Sequence, residues 1–294
     1  MKKIKFNILV FVSLFSLLLF SCNNKNEVQI PAYIKIDTCS VQIQDYSIQG
    51  SASHNIKDVW VYVGNQLQGI YELPAFFPIL ENCPTEISVR AGIFINGFSE
   101  TRIYYPFYER FFNGETNLEE GEITTISPVF KYLDNEFITY EWMEDYENML
   151  TRFQPGRDSD TTLNIVTGDY AFEGVYSGNV VLENEKRYFE LYTTPAFENL
   201  PINGSPVYLE LDYKCDSAMI VGIQAVFPDG STLDNNIVYI RETDTWKKMY
   251  INLTSILVNY YEAKSYKFFI KGGSITYENI GRTNFYWDNI KLVY

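Results

Sequence analysis

The sequence predicts an all-β chain of two sandwiches in series, and three observations carry that prediction. Its 294 residues include 24 tyrosines and 21 phenylalanines, a loading that suits pleated, half-buried surfaces. Short runs of alternating apolar and polar residues recur between Gly, Asn, Asp and Pro turn signals, while residues 33–133 show no convincing helical period. The length suffices for two modest domains.

The chain opens with Lys2, Lys3 and Lys5 ahead of an apolar run over residues 8–20, interrupted only by Ser13 and Ser16. That run is too short to span a bilayer stably and reads as a cleaved export signal, residues 1–21. The stretch Leu19-Phe20-Ser21-Cys22 resembles the lipobox of bacterial lipoproteins, with Phe20 larger than the usual residue. The resemblance implies that Cys22 is lipidated by acyl chains such as palmitate and becomes the new N-terminus. Each buried methylene contributes about 0.8 kcal/mol, so several acyl chains hold a protein on a membrane without a transmembrane helix. Residues 22–32 then form the lipidated cysteine and a short polar tether. The address expected from this is the cell envelope, at the outer membrane, facing either the periplasm or the outside.

With 23 basic and 37 acidic residues the formal charge is −14, and loss of three leader lysines makes it about −17. That disfavours nucleic acid and anionic lipid surfaces as partners. Cys39, Cys83 and Cys215 lack metal-type spacing. Cys39 and Cys83 can pair in an oxidising envelope or remain free, whereas Cys215 lies in an alternating strand pattern as a small buried residue.

Residues 33–134 read as the first domain. A strand at 59–63, a Gly64-Asn65 turn and a partner at 69–73 make a hairpin. The strand at 86–94 puts Ile87, Val89 and Ala91 on one face before an Asn96-Gly97 turn; a strand at 99–105 follows, and residues 123–130 form the last. About seven short strands in this length indicate an immunoglobulin-like sandwich. Trp60 and Tyr62 share one face, expected to be the core face. The aromatics from Tyr104 to Phe112 cannot all alternate inward, and are expected to pack across the sandwich end, the other reading being an exposed patch. His54, the only histidine, has no ligand or nucleophile at useful spacing and reads as a loop residue. The segment from His54 to Tyr62, with Tyr71-Glu72-Leu73-Pro74, Asn96-Gly97 and Tyr105-Pro106-Phe107-Tyr108, resembles the N-terminal region of a set of Bacteroidetes lipoproteins. That likeness supports the envelope address and transfers no catalytic residue.

Residues 136–294 read as the second domain. Residues 140–147 are taken as a strand and 154–162 as a loop. Evenly spaced strands are then expected at 178–182, 188–192, 207–214, 219–227, 237–241, 248–253, 266–270 and 285–293, eight as in a jelly roll. The segments Phe172-Glu173-Gly174-Val175-Tyr176-Ser177-Gly178, Asp244-Thr245-Trp246-Lys247-Lys248 and Phe285-Tyr286-Trp287-Asp288-Asn289-Ile290-Lys291-Leu292 resemble the galactose-binding-like β-sandwiches shared by many carbohydrate-binding modules. Flat rings suit the apolar side of a sugar, and amides and carboxylates suit its hydroxyls. Tyr176, Tyr188, Tyr192 and Tyr239 are the candidate ring contacts, with Asn179, Glu190 and Gln224 as polar partners and Trp246 assigned to packing. The resemblance also implies a structural calcium, for which Glu147 and Asp288 are the matching acids.

No nucleophile elbow, zinc-protease motif, phosphate loop or paired-cysteine zinc spacing occurs. Any acidic chain can nominate the two carboxylates of a glycosidase, so a glycan-acting enzyme remains as a lesser alternative. The expected function is a membrane-anchored lipoprotein that binds glycan through its C-terminal jelly roll. The alternative is an assembly lipoprotein docking on an envelope protein through the aromatics around Tyr105 and Phe112.

Overall fold

A computed structural model describes residues 29–81, 84–274 and 281–294; the leader, Cys22 and Cys83 lie outside the described residues. The first ten strands are β1 (Ala32–Ile36), β2 (Ser40–Gln42), β3 (Asp58–Val63), β4 (Gln66–Glu72), β5 (Ala75–Ile79), β6 (Thr85–Phe94), β7 (Arg102–Tyr104), β8 (Phe111–Thr116), β9 (Ile123–Thr125) and β10 (Val129–Lys131), with a short helix α1 (Tyr46–Gln49). One sheet runs β4-β3-β6-β7 with β8 also on β6; a three-stranded sheet β5-β1-β9 and the pair β10-β2 complete the sandwich. Ile34, Val41, Val61, Phe77, Val89 and Phe130 from these sheets meet in one core. Gly64 and Asn65 both take positive φ, 53° and 68°, as a two-residue hairpin loop between twisted strands requires.

Two expectations change here. Val59, Val61 and Val63 are the inward residues of β3, so Trp60 and Tyr62, of opposite parity, lie half-buried on its outer face. Trp60 meets Tyr104 edge-on and Tyr62 lies under the Arg110 guanidinium at 4.2 Å. The single strand expected at 123–130 is two strands. β9 runs parallel to β1 and β10 parallel to β2, and Pro128, which cannot donate to a ladder, interrupts the run between them.

The remaining strands are β11 (Tyr140–Glu144), β12 (Phe153–Pro155), β13 (Asn164–Thr167), β14 (Tyr176–Leu182), β15 (Tyr188–Thr193), β16 (Phe197–Glu198), β17 (Tyr208–Cys215), β18 (Met219–Val226), β19 (Thr232–Ile240), β20 (Thr243–Asn252), β21 (Ser265–Gly273) and β22 (Thr283–Val293), with helix α2 (Thr254–Asn259). The eight strands expected from alternation are all present. Together with β11, β12, β13 and β16 they form two six-stranded sheets, β13-β14-β22-β17-β20 with β11 on β22, and β12-β15-β21-β18-β19 with β16 on β21. Between them lies a core that includes Trp142, Phe153, Phe189, Phe268 and Trp287. Cys39 and Cys215 are free and buried, and burial pushes both thiols up to about 12.

The sandwiches meet on the outer face of the first of these sheets. Pairing places Glu210 opposite both Tyr250 and Lys291, and Asp212 opposite Lys248 and Asp288. The first sandwich covers this row. Tyr105 and Tyr132 donate hydroxyl hydrogen bonds to Glu210, and Ser53 donates to Asp212 at 2.7 Å. Lys248 Nζ lies 3.3 Å from Glu210 and 3.5 Å from Asp212, and Lys291 Nζ lies 3.4 Å from Glu210. All four charged side chains are at most 1% exposed. The aromatic segment packs into this junction: Tyr105, Phe107 and Tyr108 are buried, and the Tyr105 ring lies 4.8 Å from that of Tyr250. Tyr105 therefore cannot belong to a surface patch, and of the residues proposed for docking only Phe112, 55% exposed, is well open to solvent.

Candidate functional site

The first sandwich covers part of one sheet of the second, and the outer face of the other sheet is left open. Ladder register puts its outward side chains in rows. Glu190 and Tyr192 on β15 lie opposite Lys271 and Phe269 on β21. Lys271, Phe269 and Lys267 lie opposite Ile220, Gly222 and Gln224 on β18, and these opposite Tyr239, Asn236 and Asp234 on β19. A bulge between Val221 and Gly222 resets the count, so that Tyr239 and Asn236 both reach this face. Gly222 is required there, because a Cβ would collide with the Phe269 ring and the Asn235 carbonyl. Phe269 lies fully buried on the outer side, 5.6 Å from the Tyr192 ring.

Over this floor lies a groove of about 420 Å³ whose lining includes Tyr188, Ile220, Asn236, Tyr239, Lys271 and Gly272. Tyr239 is 69% exposed and Tyr188 half-buried. Burial pushes the Tyr188 phenol up to about 12, so it remains a hydrogen-bond donor at neutral pH. Its hydroxyl reaches Glu190 at 3.3 Å, and Asn236 Nδ2 donates to the Tyr239 hydroxyl at 3.3 Å. Lys271 donates to Asp234 at 2.6 Å and lies 3.5 Å from Glu190. Tyr192 and Gln224 also donate to Asp234, each at 2.7 Å. Partial burial alone would raise the Asp234 carboxyl; the bonds from Lys271, Tyr192 and Gln224 outweigh it and hold the group below its ordinary value. The network fixes polar groups beside the open rings.

Three of the four candidate tyrosines are therefore brought to one face, in two roles. Tyr188 and Tyr239 line the groove, whereas Tyr192 supports it through Asp234. Tyr176 is not with them: it pairs with Thr167 in the other sheet and packs against the core. Of the polar candidates, Glu190 and Gln224 join the network, while Asn179 is buried and donates to the Phe285 carbonyl. Trp246 is half-buried against Phe172, with ring centroids 4.9 Å apart. Lys271, Asp234, Asn236 and Ile220 were not singled out from sequence. Their alternation was visible within each strand, but which strands neighbour one another was not.

Glu147 and Asp288 both hold the loop before β14. Glu147 Oε1 accepts from the amides of Val175 and Tyr176 at 2.7 and 3.0 Å. Asp288 accepts from Ser177 and Asn289 at 2.7 and 2.8 Å, and burial raises its carboxyl to about 7. Both carboxylates are thus engaged by protein donors. Among the described residues no three His, Cys, Asp or Glu side chains converge as a metal site, although Glu147 and Asp288 line one pocket with Asp145 and Glu173. His54 lines a separate pocket of about 390 Å³ between the sandwiches, with Trp246 and Phe172. Its Nδ1 accepts the Ile56 amide at 3.4 Å, and burial lowers its pKa.

No family model matches the chain, and no curated protein gives a significant match. Among solved structures, one described as a carbohydrate-binding module of the β-sandwich superfamily is 14% identical, covering 80% of this chain and 84% of its own, with a TM-score of 0.42. A xylan-binding domain of carbohydrate-binding module family 22 is 13% identical over 52% of this chain and 93% of its own, TM-score 0.37. A family 30 carbohydrate-binding module of a Clostridium thermocellum cellulosomal cellulase is 13% identical over 51% and 89%, TM-score 0.36.

Proposed function

We propose that this chain is a lipid-anchored envelope protein that binds a glycan in the groove on the open face of its second sandwich. One observation carries the reading: Tyr188 and Tyr239 line a groove that also presents Asn236 and Lys271. Aromatic faces cover the apolar side of a pyranose ring, while amide, ammonium and carboxylate groups satisfy its hydroxyls, and sites of this kind combine an apolar wall with a few fixed polar groups. The Leu19-Phe20-Ser21-Cys22 stretch supports the membrane anchor and the outer-membrane address.

Affinity electrophoresis of the full chain through gels containing neutral polysaccharides tests the reading. At least one polysaccharide is expected to retard the protein. Tyr239→Ala is expected to weaken that retardation by about tenfold, with thermal stability changed by no more than about 0.5 kcal/mol because the ring is exposed. Unretarded migration across a broad glycan panel, or retardation indifferent to Tyr188→Ala and Tyr239→Ala, would refute it.

A further inference from the structure

We propose that the outer face of the β5-β1-β9 sheet seats the protein on the surface of the bilayer to which Cys22 tethers it, an inference that rests on the lipid-anchor reading. Register places Tyr33 opposite Pro78 and Ile123, and Lys35 opposite Phe76 and Thr125, so these side chains share one face. Leu80 follows at the end of β5. Phe76, Leu80 and Ile123 are 57%, 62% and 56% exposed, and the Tyr33 ring stacks flat on Phe76 at 5.2 Å. Contiguous large apolar side chains on the solvent side of a sheet mark a contact surface.

The position of the chain's entry names the occupant. β1 is the middle strand of this sheet and begins ten residues after Cys22. Ten extended residues reach at most about 35 Å, so an acylated Cys22 keeps this face near lipid. The chemistry agrees: a tyrosine with aliphatic and phenyl neighbours suits the headgroup boundary. Glu119, Glu120 and Glu122 adjoin it, and the Gly121 amide between them bonds to the Pro31 carbonyl at 3.0 Å. Those acids restrict the surface to zwitterionic lipid, because they would be repelled by an anionic one. The acyl chains hold the protein and the sheet face orients it.

The test is hydrogen exchange on the full acylated chain bound to phosphatidylcholine vesicles, compared with the Cys22→Ser chain free in solution. β5 and β9 are the edges of their sheet, so some of their amides lack ladder partners. Amides in residues 75–80 and 122–125 are expected to exchange about tenfold more slowly on vesicles, and a Phe76→Ser/Ile123→Ser double variant to lose that protection with an unchanged melting temperature. Equal rates, with acylation confirmed by intact mass, would overturn the seat and leave the anchor standing. An unacylated Cys22 would remove anchor and seat together. Protection in native envelopes but not on pure lipid would overturn it in favour of a protein partner.

Discussion

Glu210 sits where four buried charges have to balance. Burial alone would push its carboxyl up, but the Lys291 and Lys248 ammonium groups and the hydroxyls of Tyr105 and Tyr132 hold it below its ordinary value. The Lys291 ammonium is itself lowered to about 8 by burial, despite Glu210. Replacing Glu210 by a neutral isostere leaves two buried lysines with only Asp212 to offset them. Breaking such a pair from one side costs about 3–5 kcal/mol, so Glu210→Gln is expected to lower the urea midpoint of unfolding by that equivalent. A loss below about 1 kcal/mol would mean that water reaches the cluster. None of this was legible from Leu209-Glu210-Leu211-Asp212. Alternation identifies the polar face of a strand but not what covers it, and an acidic row facing solvent looks the same as one facing a second domain.

At the scale of elements, alternation was a good guide to where strands lie and a poor one to how they pair. The eight strands of the second sandwich were readable because each has one inward face. The Tyr188 and Tyr239 juxtaposition was not, since it depends on β21 and β18 lying between β15 and β19. The expected strand at 140–147 ends at Glu144, whose Oε2 accepts from Trp142 Nε1 at 3.3 Å and from the Arg152 amide at 3.2 Å, closing the loop to β12. Burial raises this carboxyl from 4.5 to about 7. Between those values the folded chain keeps a proton that the unfolded chain releases. The associated stability is complete below about 4.5, is lost as pH rises to about 7, and stays lost above it. Glu144→Gln keeps the acceptor for both donors and has no proton to release. Its melting temperature relative to the natural chain is therefore expected to climb between pH 4.5 and 7 and then level off, reflecting on the order of 3 kcal/mol. A difference independent of pH would show that Glu144 is ionised in the fold.

For the whole molecule, the surface shared by the sandwiches decides whether they behave as one. Tyr208, Tyr250 and Val293 belong to strands of the second sandwich but pack into the core of the first. The Asn55 side chain donates to the Lys248 carbonyl at 2.9 Å, and the Lys291 ammonium to the Gln49 carbonyl and the Tyr132 hydroxyl, both at 2.6 Å. Separating the two would expose that apolar surface and strip Glu210 of both tyrosine hydroxyls. Unfolding either half alone is therefore costly to the other, and calorimetry of the full chain is expected to show a single transition with equal calorimetric and van't Hoff enthalpies. Two resolved transitions would refute that coupling. Sequence places a boundary near residue 135, because linker composition reports where the chain crosses, but it says nothing about the area buried on either side. If the transition is single, a fragment of residues 136–294 is destabilised by its bared charged face. Glycan binding lost from that fragment would then report on folding, which is why the binding measurements belong on the full chain.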